Sequence, residues 1–281
     1  MRIIINADDF GYSHTKNMAI EKAILEKRIT SSTIMANAPG FEEAIDIARR
    51  NCQISYGVHL NLIEFAPLTN KNTFRKYDLL DEAECFIKGM IFSLSSFEDE
   101  LKQAIKEEWI AQIKKVKDFG IQVTHVDSHQ HTHNIVALQD ILLEVLSCCN
   151  IVRCRTRLTT NPLKLLRSRN YEFPNYGNGP GVARKRVGIL KKLYNHFYLA
   201  PNINSKWLST MRKKVKCPDD ILSYHFFVQD VSFQKLRKKD FCMELECHPG
   251  LERNEKETKL LMEGYINKVF PAIELITYRE L

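Results

Sequence analysis

RIIINADDFG, residues 2–11, sets three isoleucines in a row ahead of two adjacent carboxylates and a glycine. A short β-branched run bounded by polar residues reads as a buried strand over 2–8. The segments after it decide the fold class. A helical pattern near 14–28 carries Met18, Ile20, Ala23 and Ile24; TSSTIMAN (30–37) reads as a second strand and FEEAIDIARR (41–50) as a second helix. YGVHLNL (56–62) is a third strand, and Leu101, Ile105, Trp109, Ile113 and Val116 recur at helical spacing over 97–119. GIQVTHVDSH then reads as strand, LQDILLEVLS as helix, IVRCRT (151–156) as strand, DFCMELECHPG as strand and turn, and IELIT as a last strand. Strand–helix alternation this regular argues for a parallel sheet, open or closed into a barrel.

The expectation is therefore an α/β chain: a (β/α) barrel-like single domain of parallel strands over 1–281. Two stretches break the rhythm, 63–96 and 158–222, the second with turn chemistry in FPNYGNGPG (173–181). Both read as inserted loops over the active end. One α/β barrel fills this length, and 44% apolar with 27% charged residues is the balance of a globular protein with a sizeable core.

Several classes fall away. No apolar run approaches the roughly 20 residues of a membrane span, and MRIIINADDF reaches its carboxylates too soon for a signal-peptide core. The reading is cytoplasmic, with no membrane partner. Eight cysteines without a CxxC pair read as reduced thiols, not a zinc ribbon. The net charge is +7, but its clusters at Arg184–Arg186, Arg212–Lys216 and Lys235–Lys239 are scattered and lack interleaved aromatics. No nucleic acid is implied; a solvated face, or attraction of an anionic substrate, accounts for them. GYSHTKN, after the first strand, matches neither GxGxxG nor GK[ST], so nucleotide binding loses its main support.

Ionisable residues fall where strands end. Asp8 and Asp9 close the first strand, His59 lies in the third, Asp127 and His129 close the next, and His248 ends a late one. In parallel α/β architectures those ends converge, so residues distant in sequence meet in space. A strand would point Asp8 and Asp9 to opposite faces. The Phe10–Gly11 turn can bring both to one pocket, where a cation offsets their repulsion; an Asp pair capping the next helix is the other reading. His59, inside GVHL, gains weight as a metal ligand only from its neighbours. In THVDSHQHTH (124–133), period-two alternation puts His125, Asp127, His129, His131 and His133 on one face while the strand lasts. One bound imidazole oriented by the others is the economical picture, and a merely wet strand end is the alternative. His248, held by Pro249 and Gly250, suits a fixed general acid.

Taken in order, NADDFG, GVHLNL, THVDSHQHTH and CHPG resemble the YdjC-like carbohydrate deacetylases, the diacetylchitobiose deacetylase family. The resemblance runs from residue 3 to about 250 and takes in LLDE (79–82), the VR pair at 152–153 and Glu244, while 158–222 match poorly. It implies a barrel-like fold that removes acetyl groups from N-acetylated sugars with one divalent metal ion, Mg2+ or Zn2+. It implies Asp9, His59 and His129 as ligands, Asp8 as the base, His248 as the acid protonating the departing amine, and by analogy a homodimer. Two imidazoles favour zinc or a similar transition metal, whereas the family is generally described with magnesium. Arg153 is a candidate contact to sugar or carboxylate. Tyr12 and Phe65 are candidates for stacking on sugar, and Trp109 reads as core. A metal-dependent phosphoesterase lacks a second obvious ligand set. A non-catalytic sugar- or metal-binding protein would need neither Asp8 nor His248.

Overall fold

The computed structural model describes residues 1–156, 200–229 and 241–281. Its strands are β1 (Arg2–Phe10), β2 (Ser31–Ile34), β3 (Ser55–Leu60), β4 (Val123–Ser128), β5 (Asp220–Ser223), β6 (Cys242–Cys247) and β7 (Glu274–Leu275). They form one sheet in the order β4-β3-β2-β1-β6-β5, with β7 beside β1, and every pairing is parallel. Beyond β4 the ring continues through isolated parallel bridges, Val126 to Cys154 and Arg153 to Lys216. Lys216 is four residues from β5, and the Asp219 amide already donates to the Cys242 carbonyl at the start of β6 (2.7 Å). The sheet thus curls toward closure, and the chain has the α/β, barrel-like fold its alternation implied.

Period two explains the cross-section. On β1, Ile3, Ile5 and Ala7 face the helices and join the main apolar core. Asn6 and Asp8 face the other way, where the Asn6 amide donates to Asp8 Oδ1 (2.8 Å). β6 sets Glu244 beside Ile4 and Glu246 beside Asn6; β3 and β4 set His59 beside Asp127. The barrel is therefore dry outside its wall and polar within.

The helices α1 (His14–Leu25), α2 (Phe41–Arg50), α3 (Lys71–Lys76), α4 (Asp99–Asp118) and α5 (Gln139–Cys148) cover the wall. α2 buries Phe41, Ala44, Ile45, Ile47 and Ala48, one stripe at helical spacing. α4 buries Leu101, Ile105, Trp109, Ile113 and Val116 as its pattern implied, each aliphatic side chain contributing about 1.5–3 kcal/mol. Polar Glu108 and Gln112 interrupt that stripe for a reason. Glu108 Oε2 accepts from the amides of Leu68 and Thr69 (both 2.9 Å), and Gln112 clasps the backbone of Asn61 (2.8 Å from both N–H and C=O). The stretch 63–96 is consequently pinned to α4, with Phe74, Leu79, Phe86 and Ile91 in the core. LLDE contributes both of its leucines to packing, and the Asp81 carboxylate accepts from the Cys85 amide.

The second expected insertion requires correction. Much of 158–222 lies outside the described residues, but Ala200–Arg212 is a helix and Asp220–Ser223 is β5 itself. DDILS holds two carboxylates next to a short apolar run, too brief for period two to register. All eight cysteines are free. Among the described residues no helix is long and apolar enough to cross a membrane.

Candidate active site

Asp8 and Asp9 reach one pocket through a backbone irregularity. The β1–β2 register shifts between Ala7 and Phe10, Asp9 takes φ 65° and Gly11 φ 97°. A left-handed Asp9 breaks the alternation that would have sent it outward; such a backbone costs a non-glycine residue about 1–3 kcal/mol. Asn17 of α1 holds the turn, its Oδ1 accepting from the Gly11 amide (2.7 Å).

Two side chains then converge on Asp9 Oδ1. His129 Nδ1 lies 2.8 Å away and His59 Nε2 3.3 Å away; one nitrogen or oxygen from each lies within 4.8 Å of the others. The far nitrogen of His59, Nδ1, donates to Asp127 Oδ1 (2.7 Å), which fixes the ring with Nε2 aimed at Asp9. A carboxylate behind an imidazole is how metal-binding histidines are oriented. Burial pulls the His59 imidazole down, yet Asp127, Asp9 and Asp8 push it up to about 10. The pocket thus demands positive charge. A second grouping, Asp8, His59 and Asp127, suits a cation less, because Arg155 Nη2 already occupies Asp8 Oδ1 (2.6 Å) and Asp127 Oδ2 (2.8 Å). Two imidazoles and one carboxylate fit a divalent ion with open positions. The other oxygen of Asp9 is taken: buried Lys16 donates to Oδ2 at 2.8 Å and lies 3.6 Å from the centre of the Tyr12 ring.

Arg155, fully buried, is the residue sequence reading missed. It donates to both oxygens of Asp8 (2.7 and 2.6 Å) and from Nε to Glu244 Oε1 (2.8 Å). Burial alone would raise the Asp8 carboxyl; Arg155 overrides it and holds Asp8 below the usual carboxylate range. Glu244, despite the same guanidinium and the Tyr278 hydroxyl, is pushed by burial up to about 7. Glu246, with Arg155 Nη1 at 3.7 Å, is likewise pushed up to about 7.

His248 follows β6 and presents Nε2 to Asp8 Oδ2 at 4.0 Å. Arg153 does not come to this pocket. Its Nη2 donates to the Arg279 carbonyl (2.9 Å), and the Arg279 amide bonds Ser55 at the start of β3, the opposite end of the barrel. Two residues apart on one stave, Arg153 and Arg155 share a face, and only the one nearer the C-terminal end meets the carboxylates. That spacing was the available signal.

The histidine run divides. β4 ends at Ser128, and Gln130 and His131 turn left-handed (φ 50° and 57°), so the alternation expected to carry His131 and His133 onto the same face stops at His129. His125 sits below the pocket, its ring stacked on Tyr278 with centroids 3.6 Å apart. Gly57 makes room for it: a Cβ there would come within 2.6 Å of that ring. His131 Nε2 lies 3.4 Å from Glu246; burial, helped by Arg155, lowers it to about 3. His133 Nδ1 meets the Ser128 hydroxyl (2.5 Å) and its ring faces Trp207. Tyr12 and Phe65 meet edge to face at 5.2 Å beside His129, whereas Trp109 is buried on α4.

A family model described as YdjC-like protein matches residues 2–270. The chain is 33% identical over 159 residues to a carbohydrate deacetylase of Clostridium beijerinckii, an alignment covering 54% of this chain and 58% of the relative. It is 33% identical over 145 residues to a carbohydrate deacetylase of Brevibacillus brevis, covering 52% and 55%. The chain thus spans little more than half the length of these relatives. Among solved structures, a protein described as a candidate for cellobiose-phosphate cleavage in Enterococcus faecalis V583 superposes with a TM-score of 0.67 at 22% identity, over 99% of this chain and 98% of that one. A lactam utilization protein of Thermus thermophilus gives 0.50 at 9% identity, over 99% and 100%. These two are likenesses of fold.

Proposed function

The chain belongs to the YdjC-like protein family, and on that premise we propose that it hydrolyses the acetamide of N-acetylated mono- or oligosaccharides, chitobiose-type sugars among them. The observation carrying this reading is the convergence of His59 and His129 on one oxygen of Asp9, with a spare carboxylate and a spare imidazole beside them. Asp9, His59 and His129 would hold a divalent ion. When bound, such an ion acidifies water and polarises a carbonyl.

The chain's own residues supply the proton traffic. Arg155 keeps Asp8 ionised and oriented, at the expense of basicity, so Asp8 accepts a proton only from an already acidified water. Nε2 of His248 faces the same space and donates to the departing amine. His248 suits that role because, although burial pulls its imidazole down, Asp8, Asp9, Glu257 and Glu246 raise it overall. Tyr12 and Phe65 supply an aromatic wall at the mouth for a sugar face.

Acetate release from N,N'-diacetylchitobiose and from N-acetylglucosamine, with and without chelator, tests the reading beside p-nitrophenyl phosphate hydrolysis. Chelator-sensitive acetate release supports it. Phosphate release without acetate would move the site to phosphoryl chemistry, and binding of sugar without either product would make it a binding protein.

A further inference from the structure

His248 hangs between two carboxylates. On its Nε2 side is Asp8 at 4.0 Å; on its Nδ1 side is Glu257, whose Oε1 lies 3.9 Å away. Glu257 belongs to the helix Glu255–Met262, is buried, and is itself fixed. Its Oε1 accepts the His248 backbone amide (2.8 Å) and its Oε2 accepts the Ser223 hydroxyl from the end of β5 (3.0 Å). A buried carboxylate tied to the backbone of the very residue whose ring it faces has little freedom to turn away.

We propose that Glu257 is a positioning residue for the proton donor: its carboxylate engages the Nδ1 edge of His248 and so commits Nε2 to the reacting nitrogen. The inference rests on the deacetylase reading of His248. In the step it serves, the N–H bond at Nε2 of the imidazolium breaks, an N–H bond forms on the amide nitrogen, and the C–N electron pair goes to that nitrogen. The imidazole is left neutral with its remaining proton on Nδ1, beside Glu257. Without that carboxylate the remaining proton is drawn to Nε2 by Asp8, and the imidazolium that must form again before the next donation has lost the partner for its Nδ1 proton.

A purely architectural role for Glu257 predicts something different. Glu257→Gln keeps the volume, the acceptor for the His248 amide and a partner for Ser223, and removes only the charge. The test is the 15N signature of the His248 ring, assigned by its loss in His248→Gln, together with steady-state kinetics on diacetylchitobiose. The expected result is a shift of the neutral ring from Nδ1–H toward Nε2–H in Glu257→Gln, with kcat at least about tenfold lower and KM unchanged; Glu257→Asp restores part of both. Identical ring nitrogens in the wild type and Glu257→Gln would overturn the proposal, as would a kcat within twofold of an active wild type. A wild type that releases no acetate would sink the deacetylase reading instead, while the ring nitrogens still decide the placement of Glu257.

Discussion

Arg155→Met removes the guanidinium around which the barrel interior is organised and puts a side chain of similar reach in its place. Three carboxylates lose a cation in direct contact: Asp8, Asp127 and Glu244, each contacted by Arg155 at 2.6–2.8 Å. None is more than 3% exposed, so water does not replace the lost partner. Breaking one buried ion pair from one side costs about 3–5 kcal/mol. The three losses do not add, because Glu244, already pushed up to about 7, can take a proton. The upper part of that range, about 4–5 kcal/mol, is the expected loss. At about 2–4 °C per kcal/mol for a chain of this size, melting should fall by roughly 8–20 °C.

The sign of the pH dependence follows from Asp8. Its folded-state pKa lies below the usual value because of Arg155, so the stability it contributes is present above the ordinary carboxylate pKa and is lost as pH falls through the folded value. The gap between wild type and Arg155→Met, measured by circular-dichroism melting, should therefore be widest near neutrality and narrow toward acid. Arg155→Lys, which keeps the charge but not the fork, should recover part of the loss. A melting temperature for Arg155→Met within about 3 °C of wild type at pH 7 would refute this account.

His129→Ala should lose metal binding, read as at least a tenfold weaker dissociation constant by titration calorimetry, since one of the donors converging on Asp9 Oδ1 is gone. Asp8→Asn should keep the metal and lose turnover by about a hundredfold or more; wild-type acetate release from that variant would remove Asp8 from the base's role. Lys16→Met should bind the metal more tightly, by roughly tenfold, because an ammonium ion 2.8 Å from one oxygen of Asp9 repels a cation at the other; unchanged or weaker binding would show instead that Lys16 holds Asp9 in place.

How far the sequence disclosed this is clearest on single residues. Apart from the short β5, the strands were legible because β-branched runs and period-two alternation report burial directly, and the polar strand ends of 2–10, 55–60 and 123–128 did meet. Asp9 was legible as a pocket residue only through the following Phe10–Gly11 turn; the left-handed backbone that turns it inward is a conformation, and no residue pattern encodes it uniquely. Arg155 stood two positions from an arginine that the resemblance singled out, and the wrong one drew attention because distance along a stave, not residue type, decides which end of the barrel a side chain reaches. His131 and His133 shared the parity of His129, but parity has meaning only while the strand continues, and Gln130 ends it.

The same parity explains why a barrel can hold such a site at all. Asp8, Asp9, Asp127, Glu244 and Glu246 bring five carboxylates inside the wall or to its rim, and Arg155 and Lys16 bring two permanent cations near them. The interior is thus short of positive charge. The chain meets the shortfall partly by pushing Glu244 and Glu246 up to about 7 and His59 up to about 10, so protons occupy places a cation could take. Nothing of this would be tolerable without the opposite face of each strand, where Ile3, Ile5, Ala7, Val58 and Val126 pack dry under the helices. Their burial offsets a charged interior that would otherwise unfold. A divalent ion held by Asp9, His59 and His129 would displace the proton on the His59 nitrogen facing Asp9, so its binding would release protons and weaken as pH falls.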